Sequence, residues 1–400
     1  MNSEFDVMVA GLLCFDVIPK FYDTGAQTLC EIMRPGKLVE MSECGMGTGG
    51  PVANTGIALQ KLGSSVCFNA RVGDDDYGEL TMKYMSQTGN VDGIRVVPGA
   101  VSSYTVAIAP PRIDRIFLHN PASNNDYCSS DLTSELVAKC KHFHLGYPPL
   151  MRSLYENSGT ELVSIFKMAK KAGAITSCDM SLPDPDSASG AAPWGDILCA
   201  VLPYVDIFLP SVEEILYMLE KDTFLHMKEA HNDADLIDVL TPDDYSRLGE
   251  TLIGMGCKVA SLKSGHRGFY VITAGESELQ TLSASWDGDC TNWADRELWQ
   301  PAWSVDSIAS ATGSGDCAVG GFLSGFMRGF DIEKTLKCAV CLGWQNVQEL
   351  DGTSGVRSWE ETVKLVERDM PLLDATIDHN DWKFVDRIGM WARKGDLVHA

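Results

Sequence analysis

The sequence predicts an α/β fold in three layers: a mostly parallel central sheet with helices on both faces, and a small β flap. From about residue 130 onward, short apolar strands alternate with helical segments, a pattern that is typical of parallel sheets. Residues 15–45 and 91–120 instead carry alternating stretches broken by Pro and Gly, which favours the edge strands of a flap. Because no linker splits the chain, we expect one domain over residues 1–400.

The elements of the first part follow from apolar runs and the glycines that bound them. Residues 6–13 are a short apolar run and predict a buried first strand. Residues 52–62 have helical spacing and stop at Gly63, a common helix end. A strand at 65–72 and a helix at 78–88 come next.

The second part repeats one rhythm of strand and helix. We expect strands at 141–145, 174–179, 205–209, 258–263 and 268–273, and helices at 132–139, 159–171, 212–219, 243–255, 317–329 and 332–350.

The charge balance excludes several classes of partner. Lysine and arginine number 32 and the acids 55, so the formal net charge is −23 at pH 7. Such a chain does not suit nucleic acid or anionic membranes, which need clustered basic residues. The first residues carry no basic leader, and no apolar run approaches the roughly 18 residues of a membrane span. Thirteen cysteines then predict reduced thiols and a cytoplasmic location.

A first glycine cluster, Gly45 to Gly50, satisfies the G-x-G-x-x-G pattern. Asp74 follows at the end of the next strand, where a dinucleotide-binding enzyme keeps its ribose carboxylate. A Rossmann oxidoreductase is therefore one alternative, although the cluster does not lie in the first strand–helix turn. A glycine turn that lets a helix pack close to the sheet is another.

A second cluster, Ala311 to Asp316, leads into a helix. Small residues at a helix start leave backbone N–H groups free, and the helix dipole adds positive potential there. Such a turn suits the charge that develops on a phosphoryl group in transfer. A carboxylate there repels an anion, so Asp316 is better explained as a base that takes the proton of an attacking hydroxyl. An ordinary N-cap aspartate is the alternative.

Three segments in order resemble the signatures of the ribokinase (PfkB) family of carbohydrate and nucleoside kinases. They are Gly49-Gly50-Pro51-Val52-Ala53-Asn54, Val72-Gly73-Asp74-Asp75-Asp76-Tyr77-Gly78, and Thr312-Gly313-Ser314-Gly315-Asp316. The resemblance runs from about residue 5 to 360 and implies a ribokinase-like sandwich whose flap is a lid over the substrate.

The resemblance also implies roles for residues that match the family motifs. Asp316 would be the catalytic base, and the amides of Gly313, Ser314 and Gly315 would form the anion hole. Asp16, at the end of the first strand, would bind substrate hydroxyls with Gly50 and Asn54. The nucleotide would be bordered by Lys263, Gly265, Gly268, Thr312 and Asn346. Glu214 would organise Mg²⁺ through a water molecule.

The chain departs from the family pattern at three places. Ser211 replaces the asparagine of the N-x-x-E motif that ends at Glu214, which puts phosphate and metal coordination there in doubt. Ser310 replaces the aspartate that begins the last signature, which puts the family's K⁺ site in doubt. Residues 285–305 form a tryptophan-rich insertion, interpreted as a flap over the nucleotide, an interface, or a solvent loop with core anchors.

The leading hypothesis is an ATP- and Mg²⁺-dependent kinase that phosphorylates a hydroxymethyl group of a small sugar or polyol. A nucleoside kinase is an alternative that needs an aromatic wall from the flap, for which Phe21, Tyr22, Tyr104 and Phe117 are candidates. A binding or regulatory relative without turnover is the other. Because exposed edge strands need cover, we expect the flap to make a homodimer contact.

Overall fold

The computed structural model describes residues 3–113, 115–282, 286–375, 377 and 380–396. Its strands are β1 (Phe5–Gly11), β2 (Cys14–Phe21), β3 (Met41–Gly49), β4 (Val66–Gly73), β5 (Asn90–Val97), β6 (Tyr104–Ile108), β7 (Ile116–Asn120), β8 (Cys140–Gly146), β9 (Ile175–Asp179), β10 (Ile207–Phe208), β11 (Val259–Lys263), β12 (Phe269–Thr273), β13 (Glu297–Gln300), β14 (Trp382–Val385) and β15 (Met390–Arg393). Its α-helices are α1 (Leu29–Ile32), α2 (Pro51–Lys61), α3 (Asp76–Ser86), α4 (Ser134–Val137), α5 (Arg152–Tyr155), α6 (Thr160–Lys171), α7 (Trp194–Val201), α8 (Val212–Leu219), α9 (Lys221–Ala230), α10 (Pro242–Gly254), α11 (Glu276–Leu279), α12 (Cys290–Trp293), α13 (Ser314–Met327), α14 (Ile332–Asn346) and α15 (Trp359–Val366).

Eleven of the described strands form one large sheet, in the order β14-β15-β13-β12-β11-β10-β9-β8-β1-β4-β5. From β5 to β11 every neighbouring pair is parallel, whereas β12 to β15 are joined by antiparallel pairs. Helices cover both faces: Phe166 of α6 packs on Phe143 of β8, and on the other face Phe322 of α13 stacks on Phe269 of β12. The predicted α/β class with its mostly parallel sheet is confirmed.

The carboxyl ends of the central strands β1, β8 and β9 lie side by side at one edge of this sheet. Gly11 pairs with Gly146, and Gly146 pairs with Asp179. Helix α2 starts against this edge, because a Cβ on Gly146 would lie 2.3 Å from Pro51. Residues that follow the three strands are therefore brought close together, although they lie far apart in sequence.

The second, smaller sheet, which we call the lid, contains four of the described strands in the order β3-β2-β6-β7. It confirms the flap in most of its predicted extent, but two details of the prediction are wrong. Residues 90–97 form β5, which pairs in parallel with β4 of the large sheet and buries Ile94 there. The prediction failed because an alternating edge strand looks the same in either sheet. Asp16 lies inside β2 of the lid instead of ending the first strand, because the chain leaves β1 at Gly11, where φ is 117°.

The tryptophan-rich segment belongs to the core in its described part; its predicted first residue, Ser285, lies outside the described residues. Its four tryptophans are at most 9% exposed: Trp286, Trp293, Trp299 and Trp303. Trp299 lies in β13, and Trp286 stacks on Phe326 of α13 with ring centroids 4.7 Å apart. These side chains therefore form neither a flap nor an interface. They are core anchors, as the third interpretation has it, although Trp299 also places part of the segment in the large sheet.

The end of the described chain also holds the core together. Strands β14 and β15 pair with each other, and β15 pairs with β13. Arg296, only 1% exposed on its residue surface, donates from Nε to Asp396 at 2.8 Å and from Nη2 to Glu333 at 2.6 Å. A buried guanidinium needs such partners, so the sheet edge depends on both carboxylates.

Among the described residues, no helix has the length and apolar character needed to cross a membrane.

Candidate active site

The N-terminus of α13 is the feature around which the site is built. Gly313 caps the helix with a φ of 71°, and a Cβ there would lie 2.5 Å from the carbonyl oxygen of Gly352. Only glycine fits such a backbone and such a close approach. Within the described parts of the chain, the amides of Gly313 and Gly315 have no hydrogen-bond partner, while that of Ser314 donates to the Ala311 carbonyl at 3.3 Å. The turn therefore offers free donors to an anion, as the sequence predicts.

Asp316 lies in the first turn of this helix with its carboxylate held on both oxygens. The amide of Asn54 in α2 donates to Oδ2 at 2.9 Å, and the hydroxyl of Tyr147 donates to Oδ1 at 2.9 Å. Asp316 is 3% exposed, and burial raises the pKa of its carboxyl; Asn54, Lys263 and Tyr147 oppose this rise. A higher pKa makes the carboxylate a stronger base, which suits proton abstraction.

Lys263 provides a largely buried positive charge beneath the same turn. Its Nζ pairs with Asp179 and donates to the Leu209 carbonyl at 2.8 Å. Its methylene groups run under the turn, because a Cβ on Gly315 would lie 3.7 Å from them. Burial lowers the pKa of the Lys263 ammonium, but the nearby carboxylates outweigh this effect and raise it overall. The ammonium thus lies at the sheet end and stabilises the acids of the site. The contact of Lys263 with a nucleotide stays a prediction.

Asp179 is the second acid at the sheet edge. Burial raises the pKa of its carboxyl, and the charge of Lys263 only partly offsets this rise. Its Oδ2 is buried and has no hydrogen-bond partner in the described structure. Glu214 and Asp316 lie close enough to raise the pKa of Asp179 further, so three carboxylates surround one lysine.

Glu214 lies at the start of α8 and closes a capping box with Ser211. Its Oε2 accepts the backbone N–H of Ser211 at 2.7 Å, and the Ser211 hydroxyl accepts the Glu214 N–H at 3.4 Å. Ser211 therefore replaces the family asparagine with a residue that caps the helix equally well. One oxygen of Glu214 is used by the cap, and the other is left for a ligand. Carboxylate oxygens are the donors that Mg²⁺ prefers.

The loop before α13 is supported from behind and touched by the lid. Asn346 is fully buried and donates to the Thr312 carbonyl at 2.7 Å, so it supports this loop instead of facing open space. The hydroxyl of Ser310 bonds to Thr312 at Oγ1 and N, at 3.0 and 3.1 Å. Arg115, next to β7, donates to Ser310 at 3.4 Å. This contact joins the lid to the loop before α13.

Asp16 projects from β2 of the lid, in a row with Gly47 of β3, Thr105 of β6 and His119 of β7. Burial raises its pKa to about 6, although hydrogen bonds from Cys14 and Thr105 oppose the rise. A Cβ on Gly49 would collide with the carboxylate of Asp16, whereas one on Gly47 would meet nothing within 4 Å. The glycine at 47 thus leaves open space beside an acid that can accept hydroxyl hydrogen bonds.

Gly50, which directly follows β3, lies between Asp16 of the lid and Asp316. Its φ of 83° and the approach of the Leu12 carbonyl, 2.6 Å from where a Cβ would be, require glycine. It caps α2, and α2 carries Asn54 to Asp316. Asp16, Gly50 and Asn54, the three residues predicted to bind substrate, are therefore connected through the lid strands and the start of α2.

The predicted turn after β11 is present as a single 3₁₀ turn, Gly265–Arg267. Gly265 has a φ of 48° and Gly268 a φ of 100°, and a Cβ on Gly268 would lie 2.1 Å from the Gln300 carbonyl oxygen. Arg267 is buried and donates to the carbonyls of Ala375, Ile237 and Leu240. These glycines shape the turn, and their contact with a nucleotide stays a prediction.

Two residues of the site were not anticipated from the sequence: Tyr147 and Asp179. Tyr147 follows a predicted strand and Asp179 ends one. Because parallel strands have their carboxyl ends at one edge of the sheet, these positions could have indicated that both residues lie near the site.

Fold and site together define an α/β protein with a helix N-terminus whose free amides can hold an anion, a buried carboxylate beside it and a small lid sheet. The model of the pfkB family carbohydrate kinases matches residues 5–359, and the chain belongs to this family. It is 31% identical over 173 residues to Probable fructokinase-6, chloroplastic, of Arabidopsis thaliana, covering 42% of this chain and 44% of that relative's length. It is 24% identical over 278 residues to Probable fructokinase-5 of the same plant, covering 69% of this chain and 72% of that relative.

Solved structures agree on the fold. A structure of Arabidopsis thaliana ribokinase complexed with ribose and ATP superposes with a TM-score of 0.67 at 16% identity, covering 92% of this chain and all of that one. A fructokinase with bound ATP from Xylella fastidiosa gives 0.64 at 17% identity, covering 90% and 98%. The fold is therefore ribokinase-like.

Proposed function

We propose that this protein transfers the γ-phosphoryl group of ATP to a hydroxymethyl group of a small sugar or polyol, with Asp316 as the general base. The observation that carries the proposal is the arrangement at α13, where a buried carboxylate with a raised pKa stands beside the free amides of Gly313 and Gly315. The family and the fructokinases and ribokinase among the similar proteins support a sugar as acceptor.

In this mechanism, Asp16 and Asn54 orient the substrate through its hydroxyl groups. Asp316 takes the proton of the attacking hydroxyl, whose oxygen forms a bond to the γ-phosphorus while the bond to the ADP oxygen breaks. ADP leaves with that electron pair, and the anion hole bears charge on the transferring group. Closing the lid excludes water, which prevents hydrolysis of ATP.

Magnesium fits the donors that the chain provides. Glu214 keeps one carboxylate oxygen outside its helix cap, and Asp179 has a buried oxygen without a partner among the described residues. The ATP phosphates would supply most ligands, with Glu214 acting through water, and the ion would neutralise phosphate charge. The family's K⁺ site stays doubtful, because Ser310 contributes no charge.

The candidate aromatic wall for a nucleoside is divided between the two faces of the lid. Phe117 lies on the face of Asp16, because it is two residues before His119 in β7, and it is about half exposed. Tyr104 packs on Tyr77 of α3 with centroids 5.3 Å apart, and Phe15 stacks on the same ring at 5.5 Å. The ring of Tyr104 is therefore packed on the face of the lid opposite to Asp16. It cannot stack on a nucleobase bound beside Asp16.

Location and assembly are part of the proposal. All thirteen cysteines are free thiols, which favours a reducing compartment such as the cytoplasm. On the lid face opposite to Asp16, Met46, Ile116 and Leu118 are each about half exposed, which supports a homodimer contact there.

The deciding experiment measures ADP release from ATP and Mg²⁺ with a panel of ketohexoses, aldopentoses, polyols and nucleosides, and Asp316→Asn is the control. Acceptor-dependent turnover with one sugar or polyol supports the proposal. Turnover with nucleosides alone supports the nucleoside kinase, and ATP binding without any turnover supports the regulatory relative.

A further inference from the structure

Tyr147 is a polar residue of the site that none of the family signatures contains. It follows the last residue of β8, and its hydroxyl donates to Oδ1 of Asp316, 169 positions later in the chain. Asn54 holds the other oxygen, so the two donors fix the rotation of the carboxylate. Each carboxylate oxygen keeps a further lone pair for the hydroxyl of a substrate.

The backbone of Tyr147 is adapted to this contact. Its φ and ψ are 61° and 46°, a left-handed conformation that is uncommon for a bulky side chain. Its N–H donates to the Asp179 carbonyl at 3.1 Å, and Pro148 and Pro149 follow in a 3₁₀ turn that closes on the Tyr147 carbonyl. A strained residue held by several contacts at an active site is typically kept for its function.

The charges around Asp316 explain why such a donor is needed. Glu214 of α8 and Asp179 of β9 are acids that face it, and burial also disfavours its charged form. Lys263 of β11 is the cation among the groups that act on its pKa, and that ammonium is paired with Asp179. The hydroxyl of Tyr147, whose own pKa burial raises far above the ordinary value, stays protonated and donates at any working pH.

We propose that Tyr147 is a positioning residue for the base: it keeps the Asp316 carboxylate ionised and oriented toward the hydroxyl that is phosphorylated. The inference rests on the proposed function of Asp316. If Tyr147 positions Asp316, the segment that follows β8 contributes to catalysis as well as to packing.

The test compares Tyr147→Phe with the wild-type protein. Phenylalanine keeps the ring and the backbone preference but removes the donor, so the pKa of Asp316 rises by about one unit. The acidic limb of kcat/KM shifts to higher pH by the same amount, and kcat at the optimum falls roughly tenfold. The KM for ATP stays unchanged. Tyr127→Phe is the matched control, because it removes another buried hydroxyl, which donates to Asn69 at 2.5 Å; its acidic limb stays in place.

A second readout separates this inference from the proposed function. Carbon-13 NMR titrates the aspartate carboxyl groups, and the Asp316 signal is identified by its loss in Asp316→Asn. A raised Asp316 pKa in Tyr147→Phe, in a protein without sugar kinase activity, supports the positioning role and refutes the function. Sugar turnover with an unmoved acidic limb and an unmoved Asp316 signal supports the function and overturns the inference.

If Tyr147→Phe does not fold, a second variant tests the same proposal. Tyr147→Asn also removes the hydroxyl, and asparagine tolerates the left-handed backbone better than other residues. The same shift of the Asp316 titration is expected from it, and no shift overturns the proposal.

Discussion

Replacing Asp316 with asparagine separates catalysis from stability at one residue. Asn has the same shape and accepts or donates hydrogen bonds to Asn54 and Tyr147, but it cannot take a proton. A positioned general base contributes about 10²- to 10⁴-fold, or about 2.7–5.4 kcal/mol of activation free energy. We expect kcat to fall by at least about 10²-fold, with the KM for ATP nearly unchanged.

The same substitution should leave the fold as stable as before or more so. Burial raises the pKa of Asp316 in the folded protein above its value in the unfolded chain. The free energy of unfolding therefore falls as the pH rises from the unfolded-state pKa through the folded-state pKa. Asn carries no charge and removes this loss. The melting temperature of the variant at pH 7 should therefore equal or exceed that of the wild type, and the gap should close below about pH 4.

The assay is ADP release at saturating ATP and sugar, combined with thermal melts followed by circular dichroism. Asp206→Asn is the matched control, because Asp206 is also buried but pairs with Lys170 and Lys258, which lower its pKa against the effect of burial. That variant should lose about 3 kcal/mol of stability and keep its kcat. A kcat of Asp316→Asn within tenfold of wild type refutes the assignment of the base.

Three further predictions concern substrate, ions and assembly. Because burial raises the pKa of Asp16 to about 6, the KM for sugar should rise as the pH falls below about 6 while the KM for ATP stays level; initial rates across pH check this, and a flat KM for sugar contradicts it. Because Ser310 replaces the signature aspartate, K⁺ should raise the rate of ADP release only weakly. Titrating KCl against choline chloride at constant ionic strength tests this. A several-fold rise in rate that is specific to K⁺ would show that another group holds the ion. The lid should mediate a dimer, so Leu118→Lys should produce monomers in sedimentation at micromolar concentration; a monomeric wild type rejects the dimer.

Much of the fold was predictable because local patterns and tertiary structure agree. The alternation of strands and helices predicts the parallel sheet, and small residues before Asp316 predict a helix start with free amides. The edge strand β5 was assigned to the lid, because its alternation does not say which sheet it joins. The tryptophans of β13 and its neighbours could be interpreted from the sequence as a flap, an interface or the core anchors of a solvent loop, because a segment without family counterpart gives no sign of where it packs.

The site residues could be predicted from the sequence only where a single short motif contains them. Gly313, Asp316 and Asn54 belong to short motifs, so their roles can be proposed from the sequence. Tyr147 and Asp179 matter because the ends of β8 and β9 meet the start of α13, and this proximity comes from sheet order. The place of Lys263 beside a nucleotide stays a prediction, whereas its pairing with Asp179 beneath the helix is a contact that no motif indicates.

The C-terminal strands have a consequence for how this protein is made. Everything that forms the candidate site is synthesised by residue 352, yet Arg296 finds Asp396 only after residue 396 has also left the ribosome. Until then the edge of β13 is open, and a guanidinium destined for the interior has only Glu333 as a carboxylate partner. Domains fold largely in the order of synthesis, and unpaired strand edges are prone to aggregation. The nascent chain therefore passes through a stage in which all residues of the candidate site are present while the edge of β13 is exposed to other chains.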